Sequence, residues 1–286
     1  MFKLIVSDMD GTLLDEQSCI SKKNREAIHR LKEHHIEFAI ASGRDFEGVH
    51  SLIDPFGIQC DAILGNGAQY IDKDGKIILS CYMNKKVLKD VIGIFENDHI
   101  PFMIFTTQGF YTTQEPDFVK ESFITRNIIR FNIDEKEYEK GGKREFVPCN
   151  LLKKITDMDK FLNSDLEIIK VEAFSLEPKE IIIAKDKLAS VQEISYLSSF
   201  DDNVEVTNEN AQKGLILEKV IELKGIKKEE VVVIGDGMND ITLFERFPYS
   251  FAPMNAEKEI KELAYRIVSS HLEDAVAEVI EEVLKQ

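Results

Sequence analysis

The chain has 286 residues, 43% hydrophobic and 31% charged, a soluble globular profile long enough for one large domain or two ordinary ones. Lys and Arg number 36 against 52 Asp and Glu, a formal net charge of −16, which argues against a nucleic-acid partner because that needs a basic face. No apolar run approaches the ~20 residues a membrane span requires, and Asp8 and Asp10 interrupt any signal-peptide core, so a cytoplasmic protein with no membrane partner is expected.

In chain order, Lys3 to Ser7 is a short apolar run ending at Asp8-Met9-Asp10-Gly11, and it reads as a buried strand. Ser21 is placed to cap a helix running to about His35, with Ala27, Ile28 and Leu31 at helical spacing. Glu37 to Ala41 is a second strand, broken by Ser42-Gly43-Arg44, and a helix follows to about Ile53. Ala62-Ile63-Leu64 is a third strand, stopped by Gly65-Asn66-Gly67. Strands alternating with helices favour βαβ units and a parallel sheet.

The middle third alternates less regularly, which suits an α+β insertion. Lys76 to Tyr82 and Gly109 to Thr113 read as strands, Lys85 to Asn97 and Asp186 to Ser198 as helices, and Asn132 to Lys143 as a charged, solvated loop. Alternation returns after Val204-Glu205-Val206-Thr207: a helix from Gly214 to Leu223 stopped by Gly225, then the β-branched run Val231 to Ile234, of the kind a strand buried on both faces shows. Strands near Ser250-Phe251-Ala252 and Arg266-Ile267-Val268 alternate with helices near 256–264 and 272–284. The expected organisation is a doubly wound core of residues 1–83 and 208–286, interrupted by an α+β domain of residues 84–207.

Two strand ends concentrate the acids. Asp8 and Asp10 follow the first strand, at the edge of a parallel sheet where ligands bind. One carboxylate could attack while the other moves protons, and Gly11 could turn backbone N–H groups toward an anion; taken alone, the segment is equally a turn. Asp236 and Asp240 follow the run at Val231 to Ile234, and oxygen ligands of this kind suit Mg²⁺, although a polar loop with a helix cap reads as well. Converging carboxylates repel without a cation, so their coexistence implies a metal. Ser42-Gly43-Arg44 offers a hydroxyl and an N–H to a phosphate oxygen, with a helix N-cap as the plain alternative. Lys213 is a surface charge unless it faces the acids. The scattered cysteines Cys19, Cys60, Cys81 and Cys149 form no Cys-x-x-Cys and read as reduced thiols. The six histidines lie mostly on expected helices and form no zinc motif.

Four segments, Asp8-Met9-Asp10-Gly11-Thr12-Leu13-Leu14, Ala41-Ser42-Gly43-Arg44, Lys213-Gly214 and Gly235-Asp236-Gly237-Met238-Asn239-Asp240, in this order resemble the haloacid dehalogenase-like hydrolase superfamily. Only 32 residues separate Asp10 from Ser42, whereas 171 separate Ser42 from Lys213, and this is similar to the Cof-type branch, with an α+β cap between the second and third motifs. The resemblance implies a Rossmann-like core, an aspartyl-phosphate on the nucleophile Asp8, and Asp10 as the acid and base. It implies Mg²⁺ held by Asp8, the Asp10 backbone carbonyl and Asp236, supported by Asn239 and Asp240. Ser42, Gly43 and Lys213, with Gly11 and Asn239, would bind the phosphoryl group, and Arg44 and Asn66 would approach the substrate. Acidic neighbours and burial should raise the Asp10 pKa. Met254-Asn255-Ala256 after Pro253, Ala275-Val276, and Gly65-Asn66-Gly67 depart from the family's usual pattern.

The activity this implies is a Mg²⁺-dependent phosphatase for a small phosphorylated metabolite, of the sugar phosphate, pyridoxal phosphate or flavin mononucleotide type, working as a monomer or small homo-oligomer. The alternatives are a phosphosugar mutase and a phospho-binding or signalling protein with little turnover.

Overall fold

The computed structural model describes residues 1–131, 151–198 and 200–285. Within these residues the chain divides into two compact units, one of Met1–Ser80 and Asn210–Gln286, the other of Cys81–Glu209.

The first segment carries β1 (Leu4–Ser7), α1 (Lys22–Leu31), β2 (Glu37–Ala41), α2 (Phe46–Ile53), β3 (Asp61–Leu64), β4 (Gln69–Ile71) and β5 (Ile77–Ser80). Ser21 caps α1 by accepting from the Asn24 N–H. That helix closes four residues short of the expected His35: Lys32–His34 tighten into a 3-10 turn, and His35 takes a left-handed conformation that no longer accepts helical bonding. The helix after β2 is capped by Asp45, which accepts from Gly48, and not by Ser42.

The inserted unit holds α3 (Lys85–Asn97), β6 (Phe102–Thr106), β7 (Gly109–Thr112), α4 (Pro116–Phe131), β8 (Leu152–Lys154), α5 (Met158–Leu162), β9 (Ile168–Phe174), α6 (Pro178–Leu188), β10 (Ile194–Leu197) and β11 (Asn203–Asn208). Its strands form one sheet in the order β10-β11-β9-β6-β7-β8, antiparallel except for β7 with β8. Leu88, Val91 and Phe95 of α3 and Ile181, Ala184 and Leu188 of α6 bury one face of that sheet, while Val119 and Phe123 of α4 pack on the other with Met103, Phe105 and Phe174. The helix expected over Asp186 to Ser198 is not formed. Pro178 starts α6 early, where its missing N–H costs nothing. Glu193 then takes a φ of 65° and Ile194–Leu197 pairs antiparallel with β11. The charged stretch from 132 to 143 and Cys149 lie outside the described residues; the other cysteines are free thiols.

The chain then adds α7 (Lys213–Lys224), β12 (Val231–Ile234), α8 (Ile241–Arg246), β13 (Tyr249–Pro253), α9 (Lys258–Leu263), β14 (Arg266–Val268) and α10 (Ala275–Val283) to the first unit. Its sheet runs β14-β13-β12-β1-β2-β3-β4-β5, parallel from β14 to β3 and antiparallel beyond. β1 lies at its middle, with Ser7 in register with Ile234 on one side and Ile40 on the other. Ile5, Ile40 and Val232 face α1, α2 and α10, and Val6, Val231 and Val233 on the opposite face are equally buried. Both faces being covered explains why these strands read as unbroken apolar runs. No helix among the described residues is long and apolar enough to cross a membrane.

Candidate active site

Three parallel strands end together, and each hands its next residues to the same edge. The Asp8 N–H still donates to the Ile234 carbonyl (2.8 Å) and the Ser42 N–H to the Ile63 carbonyl (2.8 Å), so both residues leave the sheet with their backbones anchored. Gly11 then turns the chain with a φ of 81°. A Cβ there would lie 2.3 Å from Asp236 Oδ2, so this glycine is what lets the first and last acidic loops meet.

Asp8 is buried, and its Oδ1 receives a hydrogen bond from Lys213 Nζ at 2.6 Å. The same nitrogen donates to Asp240 Oδ1, also at 2.6 Å. Lys213 itself is wholly buried at the start of α7. Gly214 beside it packs where a Cβ would meet the Thr242 carbonyl at 2.1 Å, which brings the helix start close to the α8 turn. Burial pulls the Lys213 ammonium toward neutrality, and the Asp240 and Asp8 carboxylates more than offset it, so its pKa is raised and it stays charged. Asp240 Oδ2 accepts from the N–H groups of Asp236 (3.0 Å) and Gly237 (3.2 Å), so protein donors hold both of its oxygens. Thr12, buried just past the Gly11 turn, donates its hydroxyl to Asp236 Oδ1 at 2.7 Å.

Carboxylate oxygens of Asp8, Asp236 and Asp240 lie within 4.8 Å of one another. Burial pushes Asp8 well above the ordinary aspartate range; Lys213 opposes that, while Asp240, Asp236 and Asp10 add to it. Asp236 is pushed up to about 7, first by burial and then by Asp240. Crowded, buried, all-oxygen donors of this kind fit a hard divalent cation, which would relieve the repulsion.

Asp10 does not meet the expectation of burial: half of its side chain is exposed. Its neighbour is Arg44, whose Nε donates to Oδ2 at 2.7 Å and whose Nη2 donates to Oδ1 at 2.6 Å. Asp10 stands two residues past Asp8 and immediately before the Gly11 turn, outside the strand, so alternation alone could not place it.

Ser42 is buried, and its Oγ accepts from the Arg44 N–H at 3.2 Å, a local turn that fixes the loop. Gly43 lies between them. Asn66, buried with a φ of 58°, donates its N–H to the Ser42 carbonyl (3.0 Å), and its Oδ1 accepts from Asn239 Nδ2 at 3.3 Å. Every residue singled out from the sequence thus lies in these adjoining loops of one unit. Sequence reading did not single out Thr12, Asn255 or Glu257. Asn255 Nδ2 donates to the Gly11 carbonyl (2.8 Å) and its Oδ1 accepts from the His271 N–H (3.0 Å). Glu257 accepts from the Met238 N–H at 3.2 Å. Thr12 stood inside the first motif, where a hydroxyl two residues past an acid was the available signal, and Asn255 stood in the segment Met254-Asn255-Ala256; Glu257 carried none.

A family model described as haloacid dehalogenase-like hydrolase matches residues 5–280. The chain is 25% identical to phosphatase YwpJ of Bacillus subtilis (strain 168), over 99% of this chain and 100% of that protein. It is 27% identical to 5-amino-6-(5-phospho-D-ribitylamino)uracil phosphatase YwtE of the same organism, over 99% and 98%. The fold is similar to the solved structure of a haloacid dehalogenase-like hydrolase from B. subtilis, with a TM-score of 0.84, 23% identity and coverage of 99% of this chain and 100% of that one.

Proposed function

The chain belongs to the haloacid dehalogenase-like hydrolase family, and on that premise we propose that it is a Mg²⁺-dependent phosphatase of a small phosphorylated metabolite, acting through a phosphoryl group carried on Asp8. The observation that carries this reading is the buried Asp8 carboxylate paired with Lys213 beside Asp236 and Asp240. Phosphate-monoester hydrolysis is very slow without catalysis, so charge neutralisation must supply much of the rate.

In this mechanism an Asp8 oxygen forms a bond to phosphorus while the ester P–O bond breaks, and Asp10 gives a proton to the departing oxygen. Water then attacks the phosphorus, Asp10 takes its proton, and the P–O bond to Asp8 breaks to release inorganic phosphate. Lys213 holds Asp8 in place and would donate to a phosphoryl oxygen bound beside it. Ser42, Gly43, Gly11 and Asn239 line the same loops and supply donors for the others. Asp8, Asp236 and the backbone carbonyl of Asp10 would hold Mg²⁺, with Asn239 and Asp240 in support. When bound, that ion neutralises phosphoryl charge as the two anions meet.

The inserted unit, in this reading, selects the leaving group. Sugar phosphates, pyridoxal phosphate and flavin mononucleotide belong in a substrate panel, together with the phosphorylated ribitylaminouracil in the name of one relative. Phosphate release with Mg²⁺ is expected for at least one of them, and Asp8→Asn should lower kcat by about a thousandfold or more. Retained turnover in Asp8→Asn would refute the nucleophile, and isomerised sugar phosphate in place of inorganic phosphate would make the protein a mutase.

A further inference from the structure

We propose that Arg44 is a positioning residue for the proton-transfer carboxylate Asp10, and that it acts on leaving-group departure and not on phosphoryl binding. The inference rests on the phosphatase reading above and deepens it.

Three observations converge. Arg44 meets Asp10 side-on through two nitrogens, at 2.7 and 2.6 Å, so both carboxylate oxygens are held and the carboxylate plane is fixed. A bidentate pair of this kind adds directional control that a single contact lacks. Asp10 needs that control, because its side chain is half exposed at the residue just before the Gly11 turn. Arg44 can supply it, because its own backbone is pinned at both ends. Its N–H donates to Ser42 Oγ (3.2 Å), its carbonyl accepts from the Gly65 N–H (3.0 Å), and the next residue, Asp45, caps α2.

The sequence reading placed Arg44 against the substrate. The structure assigns it a partner within the protein, and the two roles separate experimentally. An arginine that binds the phosphoryl group serves every phosphomonoester equally. An arginine that aims the proton donor matters most when the departing oxygen is a poor leaving group, because only then does bond cleavage wait on the proton.

The test uses Arg44→Met, close in length and without donors, and Arg44→Lys, which restores a charge but not the fork. Steady-state kinetics with Mg²⁺ would compare p-nitrophenyl phosphate, phenyl phosphate and glycerol phosphate. Arg44→Met should lower kcat by about a hundredfold on glycerol phosphate and by much less on p-nitrophenyl phosphate, with KM little changed and Arg44→Lys intermediate. Thermal melts of each variant report whether the fold is kept. An equal loss across the three leaving groups, or a rise in KM alone, would overturn the assignment. Failure of the underlying phosphatase reading shows separately, as turnover that survives Asp8→Asn in the wild-type Arg44 background.

Discussion

Among the described residues, each unit buries one lysine between carboxylates, and the two sites differ in where along a strand they sit. Lys213 lies beyond the ends of β1 and β12, bonded to Asp8 and Asp240 at 2.6 Å, with Asp236 beside them. Lys170 lies within β9, bonded to Glu205 at 2.5 Å and Glu172 at 3.4 Å, its ammonium 4.6 Å from the Phe105 ring centre. In both, burial disfavours the ammonium and the carboxylates overcome it. Burial and pairing therefore do not distinguish chemistry from architecture. Lys170 pairs with groups that strand register already places opposite one another, Phe105 with Lys170 and Glu172 with Glu205. The Lys213 site draws its members from sequence positions more than 200 residues apart and crowds three carboxylates around one ammonium. Convergence at strand ends with charge left over is what sets the proposed reacting centre apart.

The sharpest way to break this comparison is to remove each ammonium. Both Lys213→Met and Lys170→Met remove the ammonium from a buried ion pair and should each lose about 3–5 kcal/mol of stability in urea melts. Only Lys213→Met should also lose turnover, by about a thousandfold, at a temperature where both stay folded. Equal loss of activity in the two would dissolve the distinction. Next in size is Gly11→Ala, which sets a Cβ against Asp236 at a left-handed φ. It should lower kcat about a hundredfold by displacing the loop, with the circular dichroism spectrum unchanged; wild-type kinetics would show that the close approach is dispensable.

The pH dependence tests the leftover charge. A raised acid pKa means the folded state keeps its proton longer than the unfolded state does. In metal-free protein the Asp236 contribution is full below the ordinary aspartate value of about 3.9. It is lost as pH rises through about 7. Mg²⁺ should therefore raise Tm more at pH 8 than at pH 5, read by thermal melts with Mg²⁺ or with EDTA. The same increment at both pH values would contradict the crowding. The smallest effect is expected at Asn255, whose exposed bonds tie Gly11 to the His271 turn. Asn255→Ala should cost less than about 1 kcal/mol in a urea melt.

The core was legible because strands covered on both faces are continuous apolar runs, and those of β1, β3 and β12 are followed directly by an acid or a glycine. The inserted unit was less so. Val191, Ile194 and Leu197 fall at helical spacing, yet they straddle a turn at Glu193 that contains neither glycine nor proline. At the site, residue identity pointed to Asp8, Asp236 and Asp240, and the family resemblance added Lys213. It could not give the exposure of Asp10 or its grip by Arg44, because both depend on how the Gly11 turn aims the chain. Asn255 and Glu257 act through hydrogen bonds from their side chains to backbone groups, which leave no periodicity to read.

Rapid acid quench of the enzyme during turnover of a phosphomonoester, followed by peptide mapping, examines the nucleophile itself. A phosphoryl group should be found on Asp8 within a single turnover and be absent from Asp8→Asn. Turnover with the phosphoryl group on another residue, or with none bound to the protein at any time, would contradict the reading.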